Sequence, residues 1–263
     1  MDEEGKKQQH FVLVHGACHG AWCWYRVVTK LRSDGHRVTA LDLAAAGANP
    51  KRVEELRSIS DYCQPLMEFM RGLPTDEKAV LVGHSMGGIC ISLAMEKFPE
   101  KIALAVFVTA CMPGPDFPVS AVVQEYESQV DSYMDSQYSF GNGDDKPPTS
   151  FLFGPNFMAS HLYQLSPPED WTLGTSLMRP MSQFTGFDLS KEVALSKENY
   201  GLVCRVYVVC DQDKGMKPDF QKWMIENNPP DEVKVIHGAD HMVMFSKVHE
   251  LCACLQELAV KHY

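Results

Sequence analysis

The residues whose spacing carries the most chemistry are Gly83-His84-Ser85-Met86-Gly87. An apolar run rich in valine, Ala79-Val80-Leu81-Val82, precedes them and reads as a buried strand, while residues 89–98 read as a helix. A serine at the tip of a sharp strand-to-helix turn is a nucleophile elbow. Its glycines are steric: the turn strains the serine backbone, and only residues without a Cβ let strand and helix approach so closely. A serine hydroxyl is a weak nucleophile, so Ser85 needs a base within hydrogen-bond reach and an acid that orients the base. With this elbow, acid and then histidine follow the serine along the chain. His241 comes after the last strand, in Val235-Ile236-His237-Gly238-Ala239-Asp240-His241. That is the carboxyl edge of the sheet, where such sites form. His237 lies nearer the strand, and His161, His249 and His262 fall on helices that read as solvated. The acid is expected after the preceding strand, where Cys210-Asp211-Gln212-Asp213 offers two candidates that spacing does not separate. Asp240 reads as a turn-capping residue, because chain neighbours rarely turn their side chains to one point. A tetrahedral oxyanion needs two preorganised N–H donors. One falls to Met86; the loop His15-Gly16-Ala17-Cys18-His19-Gly20 supplies the other at Ala17, with Gly16 keeping the approach open.

The elements that must position these groups alternate. His10–Val14 is a strand, 21–32 a helix stopped by Gly35, and Arg37–Leu41 a strand. A helix over 60–71, capped by Ser58 or Ser60, leads to the elbow strand at 79–82, and 102–109 is the next strand. Strand–helix alternation implies a parallel sheet with helices on both faces. The pattern breaks over 112–200, which is rich in Pro, Gly, Ser, Asp and Met, with helical patches at 155–165 and 168–178. Such a departure is too long for a loop and reads as a helical cap inserted over the sheet. Alternation resumes at 205–209 (strand), Pro218–Asn227 (helix), 233–236 (strand) and 248–260 (helix). The expected fold is α/β, of the α/β-hydrolase type. Residues 1–111 and 201–263 form the core and 112–200 the cap.

Composition agrees. The 263 residues are 45% hydrophobic and 22% charged, enough for one large core in an ordinary soluble globule. The net charge of -10 comes without a Lys/Arg stripe, so nucleic acid is not an expected partner. Residues 1–7 lack the apolar core of a signal peptide, and the longest apolar run, 103–112, is too short to span a bilayer. No membrane partner is expected. Nine scattered cysteines and no Asn-x-Ser/Thr acceptor fit a reducing, cytoplasmic setting. Cys18, Cys23, His15 and His19 match no common zinc spacing, so neither a metal nor a cofactor is expected. About half of the cap residues Phe117, Tyr133, Met134, Phe153, Phe157, Met158, Tyr163, Met181 and Phe184 are expected to line an apolar acyl pocket, and the rest to pack.

The segment from His15 to Trp22, the elbow, Asp213-Lys214-Gly215 and Gly238-Ala239-Asp240-His241-Met242 together resemble the plant methylesterase and hydroxynitrile lyase family. The likeness runs over 11–258 and includes the cap phrases Phe153-Gly154-Pro155 and Leu162-Tyr163-Gln164-Leu165. That family includes salicylate, jasmonate and auxin methyl-ester hydrolases and polyneuridine aldehyde esterase. The resemblance implies that Asp213, not Asp211, completes the triad. Hydroxynitrile lyases of the family carry Thr or Asn in place of Gly16, and one type carries Lys in place of Met242; methylketone-forming relatives lose the Ser and the Asp. Gly16, Met242, Ser85 and Asp213 are therefore the esterase set. Tyr133 stands where several methylesterases carry Trp, which weakens the case for a small aromatic ester such as methyl salicylate.

The expected activity is a serine carboxylesterase acting on a methyl ester of a small plant metabolite, a hormone or alkaloid ester. Ser85 attacks, His241 moves the proton, Asp213 orients His241, and Ala17 and Met86 hold the oxyanion. An acid product β to a carbonyl can then lose carbon dioxide unaided. Expected substrate contacts are Gly16, His19, Tyr133, Phe153, Met158 and Met242. A homodimer is compatible with this reading. The rival readings are a hydroxynitrile lyase and a hydrolase-fold ligand receptor.

Overall fold

The computed structural model describes residues 8–184 and 186–262. Residues 1–7, read above as free of an apolar leader, lie outside the described residues. Among the described residues three short strands, β5 (Gln137–Ser139), β6 (Ser150–Leu152) and β7 (Met181–Ser182), form a small antiparallel sheet of their own. The other six are β1 (His10–Val14), β2 (Arg37–Leu41), β3 (Ala79–Ser85), β4 (Ile102–Ala110), β8 (Arg205–Cys210) and β9 (Glu232–Ile236). They pair in the order β2-β1-β3-β4-β8-β9, every neighbour parallel. The central strands are continuous apolar runs because both of their faces are covered. Successive side chains alternate between the faces. Val12, Val14, Leu81, Ala105 and Phe107 join one buried cluster, and Phe11, Leu13, Val80, Val82, Val106 and Val108 join the other.

Helices α1 (Tyr25–Ser33), α9 (Val243–Ser246) and α10 (Val248–His262) cover the second of these faces; α2 (Ile59–Gly72), α3 (Gly87–Lys97) and α8 (Pro218–Asn227) cover the first. Residues 21–32 are not one α-helix. Ala21–Trp24 winds as a 3₁₀ turn, its first N–H donated to Asp42 Oδ1 at 2.6 Å, which draws this entry tightly against the end of β2. The cap of α2 is Ser58, whose hydroxyl accepts from Asp61 N at 3.0 Å.

Between β4 and β8 the chain forms α4 (Val119–Gln129), the short α5 (Pro155–Phe157) running into a π turn at Met158–Leu162, α6 (Pro168–Leu177) and α7 (Gly186–Glu192). With β5, β6 and β7 among them, this region is not purely helical. Strands of three residues or fewer are too short for alternation to register in the sequence. The region is pinned to the core through polar anchors that are buried or half-buried. Arg179 donates to Gly47 O, Asn49 O and Lys51 O at 3.1, 2.6 and 2.7 Å. Asp170, 1% exposed, accepts from Tyr25 OH at 3.0 Å and pairs with Arg26 at 2.9 Å.

Candidate active site

Ser85 ends β3 with φ of 53°, in the left-handed region that costs a residue with a Cβ. Two neighbours make the turn possible. A Cβ on Gly87 would fall 2.7 Å from His15 O, and one on Gly88 2.0 Å from Cys111 O. Gly88 lies just outside the pentapeptide and is the more tightly constrained of the two. Met86 caps the N-terminus of α3, so its main-chain N–H belongs to the donor end of a helix beside Ser85.

Asp213 follows β8, buried to 2% exposure. Its Oδ1 accepts from Met216 N at 2.8 Å, and its Oδ2 accepts from Thr109 Oγ1 at 2.5 Å and faces His241 Nδ1 at 2.7 Å. A carboxylate only accepts, so His241 carries its proton on Nδ1, which leaves Nε2 as the basic lone pair. Thr109 is next to last in β4, the strand beside β8, with φ of 37°. Nothing in its sequence context marks it out, because it meets Asp213 only through strand pairing. Asp211 goes elsewhere: it accepts from Gly238 N at 2.7 Å and meets His237, whose side chain is 83% exposed, at 2.8 Å. Burial therefore separates two aspartates that spacing could not.

Asp240 is more than a turn cap. Its Oδ1 accepts from Ser246 Oγ at 2.7 Å, while Oδ2 accepts from Leu165 N and Ser166 Oγ, both at 2.9 Å. Burial pushes its carboxyl above the usual range. Beside the base, the core is thus tied to the chain that follows the π turn.

Ala17, Ser85, Met86 and His241 open on one cavity of about 150 Å³. Its far wall comes from α3, α4 and the cap, and includes Ile89, Val123, Tyr126, Leu162 and Leu189. Of the cap residues singled out above, Tyr133, Phe153, Met181 and Phe184 line it. Phe117, Met134, Phe157, Met158 and Tyr163 do not; Phe157, Met158 and Tyr163 pack in the buried cluster beneath. Four expected substrate contacts also lie outside the wall: Gly16, His19, Met158 and Met242. Met158 and Met242 are fully buried core residues. His19 is held by Ala17 O and Tyr163 OH, both at 2.7 Å, and burial takes its pKa down to about 3, so it stays a neutral hydrogen-bonding strut. Gly16 backs directly onto the elbow: a Cβ there would stand 2.8 Å from Ser85 Cβ. Among the described residues no lysine or arginine lines the cavity, and Glu127 is its one carboxylate. A larger groove of about 590 Å³, between the 53–59 segment and cap residues 139–150, contains neither Ser85 nor His241. The residues around Cys18 and Cys23 have other duties. His15 Nδ1 donates to Gly16 O at 2.8 Å, and its Nε2 accepts from Leu43 N at 3.1 Å.

This geometry can be set beside known proteins. Residues 11–253 match the alpha/beta hydrolase family. The chain belongs to that family. It is 61% identical to methyl jasmonate esterase 1 of Vitis vinifera, over 96% of this chain and 97% of that one. It is 48% identical to salicylic acid-binding protein 2 of Nicotiana tabacum, over 98% and 99% of the two chains. Among solved structures, tomato methylketone synthase I complexed with 2-tridecanone superposes with a TM-score of 0.95 at 49% identity, covering 98% of this chain and 100% of that one. Within the family the chain falls among the plant methylesterases, and it is a carboxylic ester hydrolase.

Proposed function

We propose that this chain cleaves the methyl ester of a small, largely apolar plant metabolite through a Ser85–His241–Asp213 triad and an acyl-enzyme. The observation that carries the reading is the buried Asp213–His241 pair, 2.7 Å apart, opening with Ser85 onto one apolar cavity. Ser85 Oγ attacks the ester carbonyl while His241 Nε2 takes its proton and returns it to the departing methoxide. The N–H groups of Ala17 and Met86, which line the cavity with Ser85, hold the oxyanion. Water then attacks the acyl-enzyme with His241 as base, and the acid leaves. A β-carbonyl acid would go on to lose carbon dioxide in solution. The jasmonate and alkaloid esters of the relatives' names mark the acyl groups to try first.

Two features argue against cyanohydrin cleavage. A threonine at position 16 would press its Cβ on Ser85, and Met242 is buried away from the cavity, where a lysine ammonium would have no solvent. A reducing, cytoplasmic setting belongs to the same reading, since all nine cysteines are unpaired. Among the described residues no helix is long and apolar enough to cross a membrane.

The test is methanol release from methyl jasmonate, methyl salicylate, methyl indole-acetate and an alkaloid β-aldehydo-ester, run alongside mandelonitrile cleavage. Multiple turnover on at least one ester is expected, with Ser85→Ala lowering kcat by about 10⁴ to 10⁶ at unchanged fold. Residual activity within about tenfold of wild type would sink the triad. Faster cleavage of mandelonitrile than of every ester would put the lyase in its place, and tight binding without turnover would leave a receptor.

A further inference from the structure

His84 is the residue of the elbow to which neither triad nor oxyanion donors give a task. It is 1% exposed. Its Nε2 lies 2.8 Å from the main-chain oxygen of His241. A carbonyl only accepts, so His84 carries its proton on Nε2 and donates it there. The two imidazole rings stand 4.7 Å apart, and Trp24 meets His84 at right angles at 6.2 Å. Its Nδ1 is buried and without a partner among the described residues, facing the space that Gly16 leaves by lacking a Cβ.

That orphan acceptor is informative. A buried polar atom with no partner destabilises the folded chain, a cost that an apolar side chain of the same shape would not incur. The compensating asset of an imidazole here is the single N–H on the His241 carbonyl. Burial first, then the neighbouring His241, hold His84 protonation far below the ordinary histidine range. His19 and His15 face it as well and act in the same sense. His84 is thus a neutral donor whether or not His241 is charged. The placement is specific too: β3 delivers His84 and Ser85 side by side, so one strand end carries the nucleophile and grips the main chain of the base.

We propose that His84 is a positioning residue, which clamps the His241 main chain through Nε2–H···O and so sets the base in register with Ser85. Asp213 orients the ring of His241 from one side, and His84 fixes the backbone that carries it. The proposal rests on the Ser85–His241 reading above.

The experiment compares His84→Phe, which keeps a flat ring but has no donor, with His84→Gln, whose side-chain amide can donate to the same carbonyl. His84→Met serves as the donor-free variant if the phenylalanine protein does not fold; thermal melting checks each. A donor-free variant is expected to lose about 10- to 100-fold in kcat, the scale of a base displaced by an ångström, with KM within about twofold. The acid limb of its kcat/KM profile moves to lower pH, because a ring drifting from Asp213 has its charged form less stabilised. Glutamine restores most of kcat and returns the limb to its wild-type position. A donor-free variant with wild-type kcat and limb, or a glutamine variant as impaired as phenylalanine, overturns the proposal. Ser85→Ala run in parallel separates the two failures. If Ser85→Ala is inactive while His84→Phe is normal, positioning alone is wrong; if Ser85→Ala stays active, the hydrolase reading falls first.

Discussion

On the core side of the cavity, Thr109, Met216 and His241 converge on one buried carboxylate, and His84 ties the main chain of His241 to the end of β3. On the cap side, the wall residues hold their places through ring contacts: Tyr133 on Phe151 at 5.8 Å, Phe151 on Phe153 at 4.6 Å, Phe184 on Tyr62 at 5.9 Å. Hydrogen bonds are directional and fail within a few tenths of an ångström. Apolar contacts tolerate repacking at constant volume. On the reading proposed above, the difference would leave reaction chemistry to the sheet and substrate choice to a surface able to change without disturbing it.

The largest effect should come from breaking the core side. Asp213→Asn still fills its site but offers the wrong partner to His241 Nδ1–H, and a loss of about 10⁴ in kcat is expected. Asp211→Asn, on a partly exposed pair, should stay within about fivefold of wild type. Steady-state kinetics on one methyl ester decides between them, and the reverse ranking would show that the wrong aspartate carries the site.

Next comes the joint between the two regions. Asp240→Ala removes the acceptor of three hydrogen bonds, two of them from the chain segment that follows the π turn. Urea unfolding should show a loss of about 2–3 kcal/mol, from part-buried donors left without their acceptor. A loss under about 0.5 kcal/mol, the range of neutral surface changes, would mean that Asp240 does not tie the regions together.

Acid should also distinguish the regions. Burial lowers the pKa values of His15, His19 and His84, all in the core, His19 to about 3. Their folded pKa values lie below the unfolded value of about 6.5, so the unfolded chain takes up protons first as pH falls. The stability they contribute is fully present above that pH and declines below it, for His19 down to about pH 3. From pH 6.5 to 5.5 the His19 ring alone should remove about 1 kcal/mol, before most carboxylates titrate, with His15 and His84 acting in the same direction. Denaturant unfolding at the two pH values checks this, and a flat response would contradict the neutral, buried assignment.

The smallest effect belongs to the cap wall. Phe153→Ala should shift the preference between a compact and a bulky acyl group by about tenfold in kcat/KM, mostly through KM. The pH profile should not move. A fall in kcat equal for all esters would show that the cap wall also positions the chemistry.

How much was legible follows the same division. Strands β1 and β2 and helix α8 occupy the spans that alternation and proline placement predict: β1, buried on both faces, is apolar from Phe11 to Val14, and Pro218 opens a helix. In the cap, the strands β5, β6 and β7 are too short to read, and Phe153 and Phe157 look alike in sequence although only Phe153 reaches the cavity. His19 and Met242 sit beside the key residues in sequence, yet local winding turns them into the core.

By itself, the sequence determined the alternating α/β frame, the elbow at Ser85 and the expectation of an acid and a histidine after it, because each is a local pattern of turn sterics or side-chain periodicity. Only the tertiary structure decided that Asp213 is buried while Asp211 meets solvent, that Thr109 meets Asp213 and His84 the main chain of His241, and which cap side chains face the cavity. These depend on strands that lie side by side after crossing helices, and on a cap whose fit to the sheet no local pattern records. Burial and hydrogen-bond partnership are properties of the packed chain, and they give like residues unlike chemistry.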